Sequence, residues 1–90
     1  MKTILKFVLD IGTTEIRLPV GAQILCIQTQ RDAVCLWAIC TRNGDEEIER
    51  RQFTIHGTGH PLPDNCGAYI ATVQQEYFCW HVFETTDVET

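Results

Sequence analysis

The chain contains no serine and little positive charge, and each shortage excludes a class of function. Without serine, no catalytic serine triad can be assembled. Seven Lys and Arg residues stand against twelve Asp and Glu residues, so the formal net charge is −5. An acidic protein repels both the phosphate backbone of nucleic acids and anionic membrane surfaces. We therefore expect neither nucleic acid nor membrane among its partners.

Long hydrophobic runs are also missing. No segment approaches the roughly 18 consecutive apolar residues that a membrane-spanning helix needs, and the apolar runs near the N-terminus are too short for a secretory signal. The composition is otherwise ordinary for a globular domain, with 44% hydrophobic and 21% charged residues. We expect a single domain over residues 1–90, located in the cytoplasm.

The number and spacing of the five cysteines do not favour a disulfide framework. Their number is odd and no Cys-x-x-Cys pair occurs, so we expect free thiols in a reducing compartment. Four of them lie within hydrophobic runs and are predicted to be buried: Cys26, Cys35, Cys40 and Cys79. Cys66 lies in a polar segment, and we expect it to be the most accessible thiol.

Helical periodicity is absent, and short β-rich segments separated by turn residues take its place. The sequence therefore predicts an all-β fold, a small antiparallel sandwich or half-open barrel of about seven strands, followed by a frayed acidic tail at 85–90. The fourth strand is apolar on both faces, which predicts a central position in its sheet. Asn43-Gly44 predicts a hairpin between the fourth and fifth strands. The predicted strands are 2–9, 14–18, 23–30, 34–41, 48–56, 68–75 and 77–84.

Alternation along these strands indicates which side chains form the core. The aromatic residues are assigned to the core rather than to a binding surface, because their large apolar area stabilises a fold most when it is buried. The predicted core consists of Phe7, Ile24, Cys26, Leu36, Trp37, Ile39, Ile55, Ile70, Phe78, Trp80 and Val82.

The segment Gly57-Thr58-Gly59-His60-Pro61 is the sharpest local feature of the sequence. Glycines on either side of Thr58 allow backbone N–H groups to converge into a concave nest that holds an anion, and His60 adds a donor that changes charge near neutral pH. Arg51 and Arg17 would supply a cation if the fold brings them near. The predicted ligand or partner contacts are Gly57, Thr58, Gly59, His60, Arg51 and Arg17. The alternative is a tight turn that only connects two strands.

Catalytic and metal-binding patterns are weak. His56 and His60 have the spacing of zinc ligands on a helix, but the glycines between them exclude a helix. Cys66 and the Cys79-x-His81 pair could complete a ligand set, which leaves a zinc-stabilised structural module as one alternative. A Cys66–His60 nucleophile pair would need a dry cleft that a small β-domain hardly offers. We expect no enzyme activity, no metal and no cofactor.

The segment 47–51 alternates charge, with Glu47, Glu49 and Arg51 on one face of a strand. Such a pattern is typical of an edge strand that charge protects against unwanted pairing. It is equally compatible with the polar rim of a partner interface.

The order of several motifs resembles a family of small proteins encoded by phages and prophages. The motifs are Leu18-Pro-Val-Gly-Ala22, Leu36-Trp-Ala38, Gly57-Thr-Gly-His-Pro61 and His81-Val-Phe-Glu84. The resemblance extends over about residues 4–84. It implies an origin in a virus, a location in the host cytosol and an accessory role such as countering a host defence. The family has no catalytic residues to carry over.

These observations together predict a non-enzymatic accessory protein that acts by binding, through a host protein partner or through self-assembly. The alternative is an oligomeric protein that sequesters a nucleotide signal, a small phosphate-bearing ligand, with the Gly57–His60 loop. Seven strands leave open edges unless a barrel closes, and we therefore expect a homodimer or a higher oligomer.

Overall fold

A computed structural model describes residues 1–85, and the seven predicted strands are all present. Their ends differ from the predicted ends by at most one residue. Thr85 is the last residue of the seventh strand, and the rest of the predicted acidic tail, residues 86–90, lies outside the described residues. The strands are β1 (Lys2–Leu9), β2 (Thr13–Pro19), β3 (Gln23–Gln30), β4 (Ala33–Thr41), β5 (Ile48–Gly57), β6 (Ala68–Gln75) and β7 (Phe78–Thr85).

The strands form two antiparallel sheets that pack face to face. One sheet has three strands in the order β1-β4-β3, and the other has four in the order β2-β5-β7-β6. The fold is therefore the predicted small β-sandwich, with β4 at the centre of its sheet as its apolar sequence indicated. On one side the sheets meet where the Thr29 hydroxyl donates to the Gln74 carbonyl at 2.6 Å. Residues 1–85 contain no helix long and apolar enough to cross a membrane.

The predicted hairpin at Asn43-Gly44 is wrong, because β4 and β5 belong to different sheets. The segment between them carries the chain from one sheet to the other. The Glu46 carboxylate holds it by accepting from the N–H groups of Asn43 at 2.8 Å and Gly44 at 2.9 Å. These two bonds, the one from Asn43 first, lower the pKa of Glu46 below its ordinary value. The Asn-Gly pair thus specifies a turn, but it does not determine which strands pair. That choice depends on how the two sheets pack.

The core lies between the two sheets and alternates along each strand. Of the predicted core, Leu36, Ile55, Trp80 and Val82 are buried. Phe7, Ile24 and Ile70 are half-buried and pack against this core. Trp37 and Ile39 are half-buried on the outer face of the three-stranded sheet, so their placement in the core is wrong. The placement of Cys26 and Phe78 in the core is wrong, since both are exposed. The remaining buried apolar residues are Leu9, Ile16, Leu18, Ala22, Ile27, Val34, Cys35, Ala38, Cys40, Phe53 and Val73.

A β-bulge explains the error at Cys26. Ile24 pairs with Ala38, but the register then shifts, so that Cys26 pairs with Trp37 on the outer face. A bulge adds one residue to a strand and reverses which face the following side chains occupy. Cys26 is therefore the exposed thiol, and Cys66, predicted to be the most accessible, is half-buried. Cys35 and Cys40 are buried as predicted, whereas Cys79 is half-buried.

The charged segment before Phe53 is paired on one side within the described residues. Residues 48–51 pair with β2, whereas the pairing of β5 with β7 begins at Gln52, so the interpretation of 47–51 as a protected edge stays a prediction. Arg51 points inward, on the same face as Phe53 and Ile55, and meets Glu84 there. The ends of this sheet are β2 and β6.

Candidate functional site

The outer face of the four-stranded sheet carries two cross-strand rows of polar and aromatic side chains. In the first row His81 of β7 lies between His56 of β5 and Thr72 of β6. In the second row Phe83 lies between Thr54 and Tyr69. Directly opposed side chains in antiparallel strands contact one another. The register alone therefore gathers an imidazole pair and an aromatic pair at one place.

The Gly57–His60 segment folds into a tight turn beside these rows. The N–H of His60 donates to the Gly57 carbonyl at 3.1 Å, and Gly59, at the third position, has φ +86°. This is the geometry of a type II turn, which favours glycine at that position. The N–H of Thr58 donates to the Cys79 carbonyl at 3.3 Å and ties the turn to β7.

These hydrogen bonds correct the expectation of an anion nest. The N–H groups of Thr58 and His60 are directed at carbonyls of the protein, so they do not converge on a common point. Only the N–H of Gly59, within the described residues, makes no hydrogen bond in this turn. The alternative of a tight turn is thus correct for the backbone, and the side chains decide what the turn contributes.

Gly57 makes room for the ring of His60. A Cβ placed on Gly57 would lie 2.7 Å from Nδ1 of His60 and 3.3 Å from Cζ3 of Trp80. The first distance is shorter than two such atoms tolerate, so the imidazole lies over the strand end only because residue 57 has no side chain. The turn thereby places a third imidazole, which is exposed, next to the half-buried row of His56 and His81.

A chain of hydrogen bonds runs through the site. Thr58 Oγ1 lies 2.7 Å from His81 Nε2, and His81 Nδ1 lies 3.0 Å from Thr72 Oγ1. The Thr72 hydroxyl lies in turn 2.8 Å from the Tyr69 hydroxyl. Both ring nitrogens of His81 are thus engaged by hydroxyl groups, each of which can donate or accept. The ring orientation is fixed, while the direction of the donors along the chain is free to reverse.

Phe83 forms the aromatic centre of the site. The rings of His56 and Tyr69 both meet it edge to face, with ring centroids 5.7 Å away in each case. His56 Nε2 hydrogen-bonds the hydroxyl of Thr54 at 3.0 Å, which fixes the second imidazole of the row. Edge-to-face contacts of this kind contribute roughly 0.5–1.5 kcal/mol beyond the burial of area.

The turn and the two rows enclose a pocket of about 230 Å³. Within residues 1–85, no Asp, Glu, Lys or Arg side chain lines it. The pocket is therefore formally neutral, with imidazole, phenol and hydroxyl groups as its polar elements. Its lining consists of His56, Gly57, Thr58, Gly59, His60, Leu62, Tyr69, His81 and Phe83.

The two arginines that were expected to supply a cation lie elsewhere. Arg51 points into the sandwich, where Nε and Nη2 donate to the Glu84 carboxylate at 2.6 and 3.0 Å. Arg17 lies on β2, which β5 separates from β7, and faces a groove beside Pro19. Of the six predicted contact residues, the structure gathers Gly57, Thr58, Gly59 and His60 at the pocket.

The residues considered for zinc do not come together. Among the described residues, no three His, Cys, Asp or Glu side chains lie close enough to share a metal ion. Both nitrogens of His81 already bond threonine hydroxyls, and a ligating nitrogen would have to give up one of these bonds. The geometry gives no support to a zinc-stabilised module.

The sequence did not predict Leu62, Tyr69 and Phe83, which line the other half of the pocket. It also did not predict Thr72, which hydrogen-bonds His81 without lining the pocket. The position of Thr72 could have been inferred from the β6–β7 turn. A two-residue hairpin that pairs Gln75 with Phe78 also places Thr72 opposite His81. The predicted seventh strand began one residue early, at 77, and this hid the register.

The fold and the pocket define a small antiparallel β-sandwich with a neutral aromatic site on its four-stranded sheet. A family model described as a domain of unknown function, DUF7352, matches residues 1–90, and the chain belongs to this family. No curated protein and no solved structure matches the chain.

Proposed function

We propose that the protein is a non-catalytic binding protein whose pocket takes the flat heteroaromatic ring of a small ligand, such as the base of a nucleotide. The observation that carries the proposal is the neutral pocket, in which aromatic rings surround a reversible chain of hydroxyl and imidazole groups. The proposal takes up the sequence-based alternative, a protein that sequesters a nucleotide signal with the Gly57–His60 loop. It moves the point of recognition from the phosphate to the ring.

The lining suits a ring better than a charged group. Phe83, Tyr69, His56 and His60 present ring faces and edges, and a nucleic base stacked on an aromatic side chain gains roughly 1–3 kcal/mol. An anion would find no Lys or Arg among the described lining residues and would meet the field of a protein of net charge −5. At the mouth, the Gly59 N–H and His60 are the groups available to a phosphate attached to the ring.

The hydrogen-bond chain can match a ligand edge of either polarity. When Thr58 donates to His81 Nε2, the Nδ1–H donates to Thr72 and the order runs toward Tyr69. When His81 carries its proton on Nε2, every donor in the chain reverses. The Thr58 hydroxyl is then free to donate to a ligand and the Tyr69 hydroxyl is free to accept, which is the opposite of the first order. Heteroaromatic rings present both donors and acceptors along one edge, which is what such a chain can satisfy.

The arrangement supports binding rather than catalysis. Thr58 and His81 have the contact of a nucleophile and its base, but the group that orients His81 is the neutral hydroxyl of Thr72. A carboxylate in that place would stabilise the imidazolium that forms when the base takes a proton. Within the described residues the pocket has no carboxylate at all.

The resemblance to phage-encoded proteins supports a biological setting for this activity. In that setting, the protein would counter a host defence by removing a nucleotide-type signal from solution in the host cytosol. The first prediction from the sequence, action through a host protein partner, stays a prediction that affinity purification from the host would test.

Titration calorimetry with three probes tests the proposed function. Adenosine, adenosine monophosphate and inorganic phosphate separate recognition of the ring from recognition of the phosphate. We expect adenosine or its monophosphate to bind, phosphate alone not to bind, and Tyr69→Ala to weaken binding at least tenfold. Tyr77→Ala is the matched control, because Tyr77 is 98% exposed and lies outside the pocket.

Guanosine, cytidine and uridine with their monophosphates extend the panel to the other common bases. Failure of all ring probes, or binding of inorganic phosphate as tight as that of the nucleotides, would overturn the proposal. Equal affinity of the Tyr69 and Tyr77 variants would place the site elsewhere on the protein.

A further inference from the structure

The outer face of the three-stranded sheet has an uncovered apolar centre, which lysine and glutamine side chains surround. Ile4 and Val8 of β1 are 57% and 55% exposed, and Leu25 of β3 is 42% exposed. We propose that two copies of the chain associate through this face to form a homodimer. The face lies on the opposite side of the sandwich from the aromatic pocket, so this inference is independent of the proposed function.

The centre of the face has the composition of an interface core. The register places Trp37 of β4 between Lys6 and Cys26, and Ile39 between Ile4 and Gln23. Trp37 also lines a shallow apolar groove of about 270 Å³, together with Ile4, Leu25, Cys26 and Gln28. A tryptophan at the centre of an apolar patch is the residue type that most often dominates the energy of an interface.

Charge distribution selects a second copy as the occupant. The strands β1, β3 and β4 contain no Asp or Glu, although the chain has twelve such residues. Their only cations are Lys2 and Lys6, and the Lys6 ammonium donates to Gln30 at 2.8 Å. Two copies that each carry −5 repel one another in most orientations, and this acid-free face allows the closest approach at the least electrostatic cost.

A two-fold axis along β4 gives a consistent packing. Such an axis places Lys6 of each copy over Cys26 of the other copy, and thereby keeps the two ammonium groups apart. Strands in the two facing sheets then run in nearly the same direction, as in other aligned sheet packings. The same patch is used by both copies, which closes the assembly at two.

The size of the face sets the strength of the dimer. Three strands of about eight residues give a flat area of roughly 14 Å by 26 Å. This flat footprint is smaller than the roughly 800 Å² of accessible surface that each partner buries in a standard interface. The dimer is therefore weak, and it forms as the concentration rises from low micromolar toward millimolar.

Sedimentation equilibrium over that concentration range tests the inference. We expect the mass to rise from 10.3 kDa toward twice that value. Val8→Glu and Ile4→Glu should each weaken dimerisation at least tenfold. The matched controls are Val20→Glu and Ile48→Glu, which replace residues 56% and 55% exposed outside this face and should leave the dimer intact.

A second measurement follows the thiol of Cys26, which the dimer would cover. Alkylation of Cys26 should slow with rising protein concentration, whereas the rate at Cys66 should stay constant, and Val8→Glu should abolish the slowing. A mass of 10.3 kDa at every concentration would overturn the proposal. So would a dimer that survives both face variants, or one that a control variant disrupts equally.

Discussion

The guanidinium of Arg51 donates one hydrogen bond to each carboxylate oxygen of Glu84, with N–O distances of 2.6 and 3.0 Å. The remaining Nη1 donates to the Ala22 carbonyl at 2.7 Å, so the same side chain ties β5 to β7 and to the turn before β3. The hydrogen bonds with Glu84 raise the pKa of Arg51 above its usual value, although burial acts in the opposite direction. Both side chains are largely withdrawn from solvent, at 18% and 9% exposure.

Removing one partner of this pair should destabilise the fold. In Glu84→Gln the side chain keeps its shape, but an amide N–H₂ then faces the donors of Arg51 and the buried cation loses its counter-charge. We expect a loss of roughly 1.5–3 kcal/mol in the free energy of unfolding, the range for hydrogen bonds to charged groups. Urea unfolding followed by tryptophan fluorescence measures it.

The control for this prediction is the exposed pair of Glu15 and Arg50, whose closest atoms lie 3.8 Å apart. Glu15→Gln should change the unfolding free energy by less than about 1 kcal/mol, because solvent screens such pairs. If the Glu84 and Glu15 variants lose equal stability, the buried pair contributes nothing specific.

The inward orientation of Arg51 was predictable from the sequence, but its ion pair with Glu84 was not. Residues 51, 53 and 55 have the same parity, so a strand that buries Phe53 and Ile55 also directs Arg51 inward. Glu84 has the same relation to Trp80 and Val82. What the sequence does not contain is the pairing of β5 with β7, which depends on contacts between distant segments. The strand positions themselves required only the local alternation and the turn residues between them.

Gly67 should be among the least replaceable glycines. Its φ is +94°, and a Cβ there would overlap the backbone oxygen of Glu84. Gly44 has a similar φ of +98° but open space around it. We expect Gly44→Ala to cost about 1–3 kcal/mol from backbone strain alone. Gly67→Ala should cost roughly 1–3 kcal/mol more, since the backbone must also move.

Thermal unfolding of the two glycine variants, measured side by side, separates strain from steric overlap. A midpoint for Gly67→Ala equal to that for Gly44→Ala would show that the chain around Glu84 moves aside without cost. Such a result would contradict the close packing of the β5–β7–β6 sheet at this end.

Glu46 should give the protein a small stability increment that depends on pH. Its pKa is lowered in the folded state by the N–H groups of Asn43 and Gly44. A carboxyl whose folded pKa lies below its unfolded pKa stabilises the fold above the unfolded value and loses that effect as pH falls through the folded value. The melting temperature of Glu46→Gln should therefore lie below that of the parent at pH 7, and the two should converge in acid.

Glu47→Gln is the control, because the Glu47 side chain makes no hydrogen bond within residues 1–85. Its melting temperature should follow the parent at both pH values. A Glu46 variant that differs from the parent equally at pH 7 and in acid would show that the carboxylate does not hold the turn.

The turn that borders the pocket was predictable from the sequence, whereas the aromatic side of the pocket was not. The glycines of the Gly57–His60 turn mark it in the sequence, because a type II turn favours glycine at its third position, here residue 59 with φ +86°. Tyr69 was not predictable, since a bulge between Tyr69 and Ala71 shifts the register and moves Tyr69 opposite Phe83. Bulges leave no clear trace in a single sequence, yet this one completes the aromatic site, as the bulge in β3 exposes Cys26.

The hydrogen bond between Thr58 and His81 links the turn to the pocket, and Thr58→Val tests it with little change in shape. The variant leaves His81 Nε2 without a partner on the protein, while Nδ1 keeps Thr72 at 3.0 Å. The nitrogen chemical shifts of His81 should then report a different tautomer balance, even in the absence of any ligand.

Thr54→Val is the control, because it removes the partner of His56 and should leave the His81 shifts unchanged. If a ring probe binds, its affinity should fall about two- to tenfold in Thr58→Val, the equivalent of one neutral hydrogen bond. Unchanged His81 shifts would show that the chain of hydroxyl and imidazole groups does not begin at the turn.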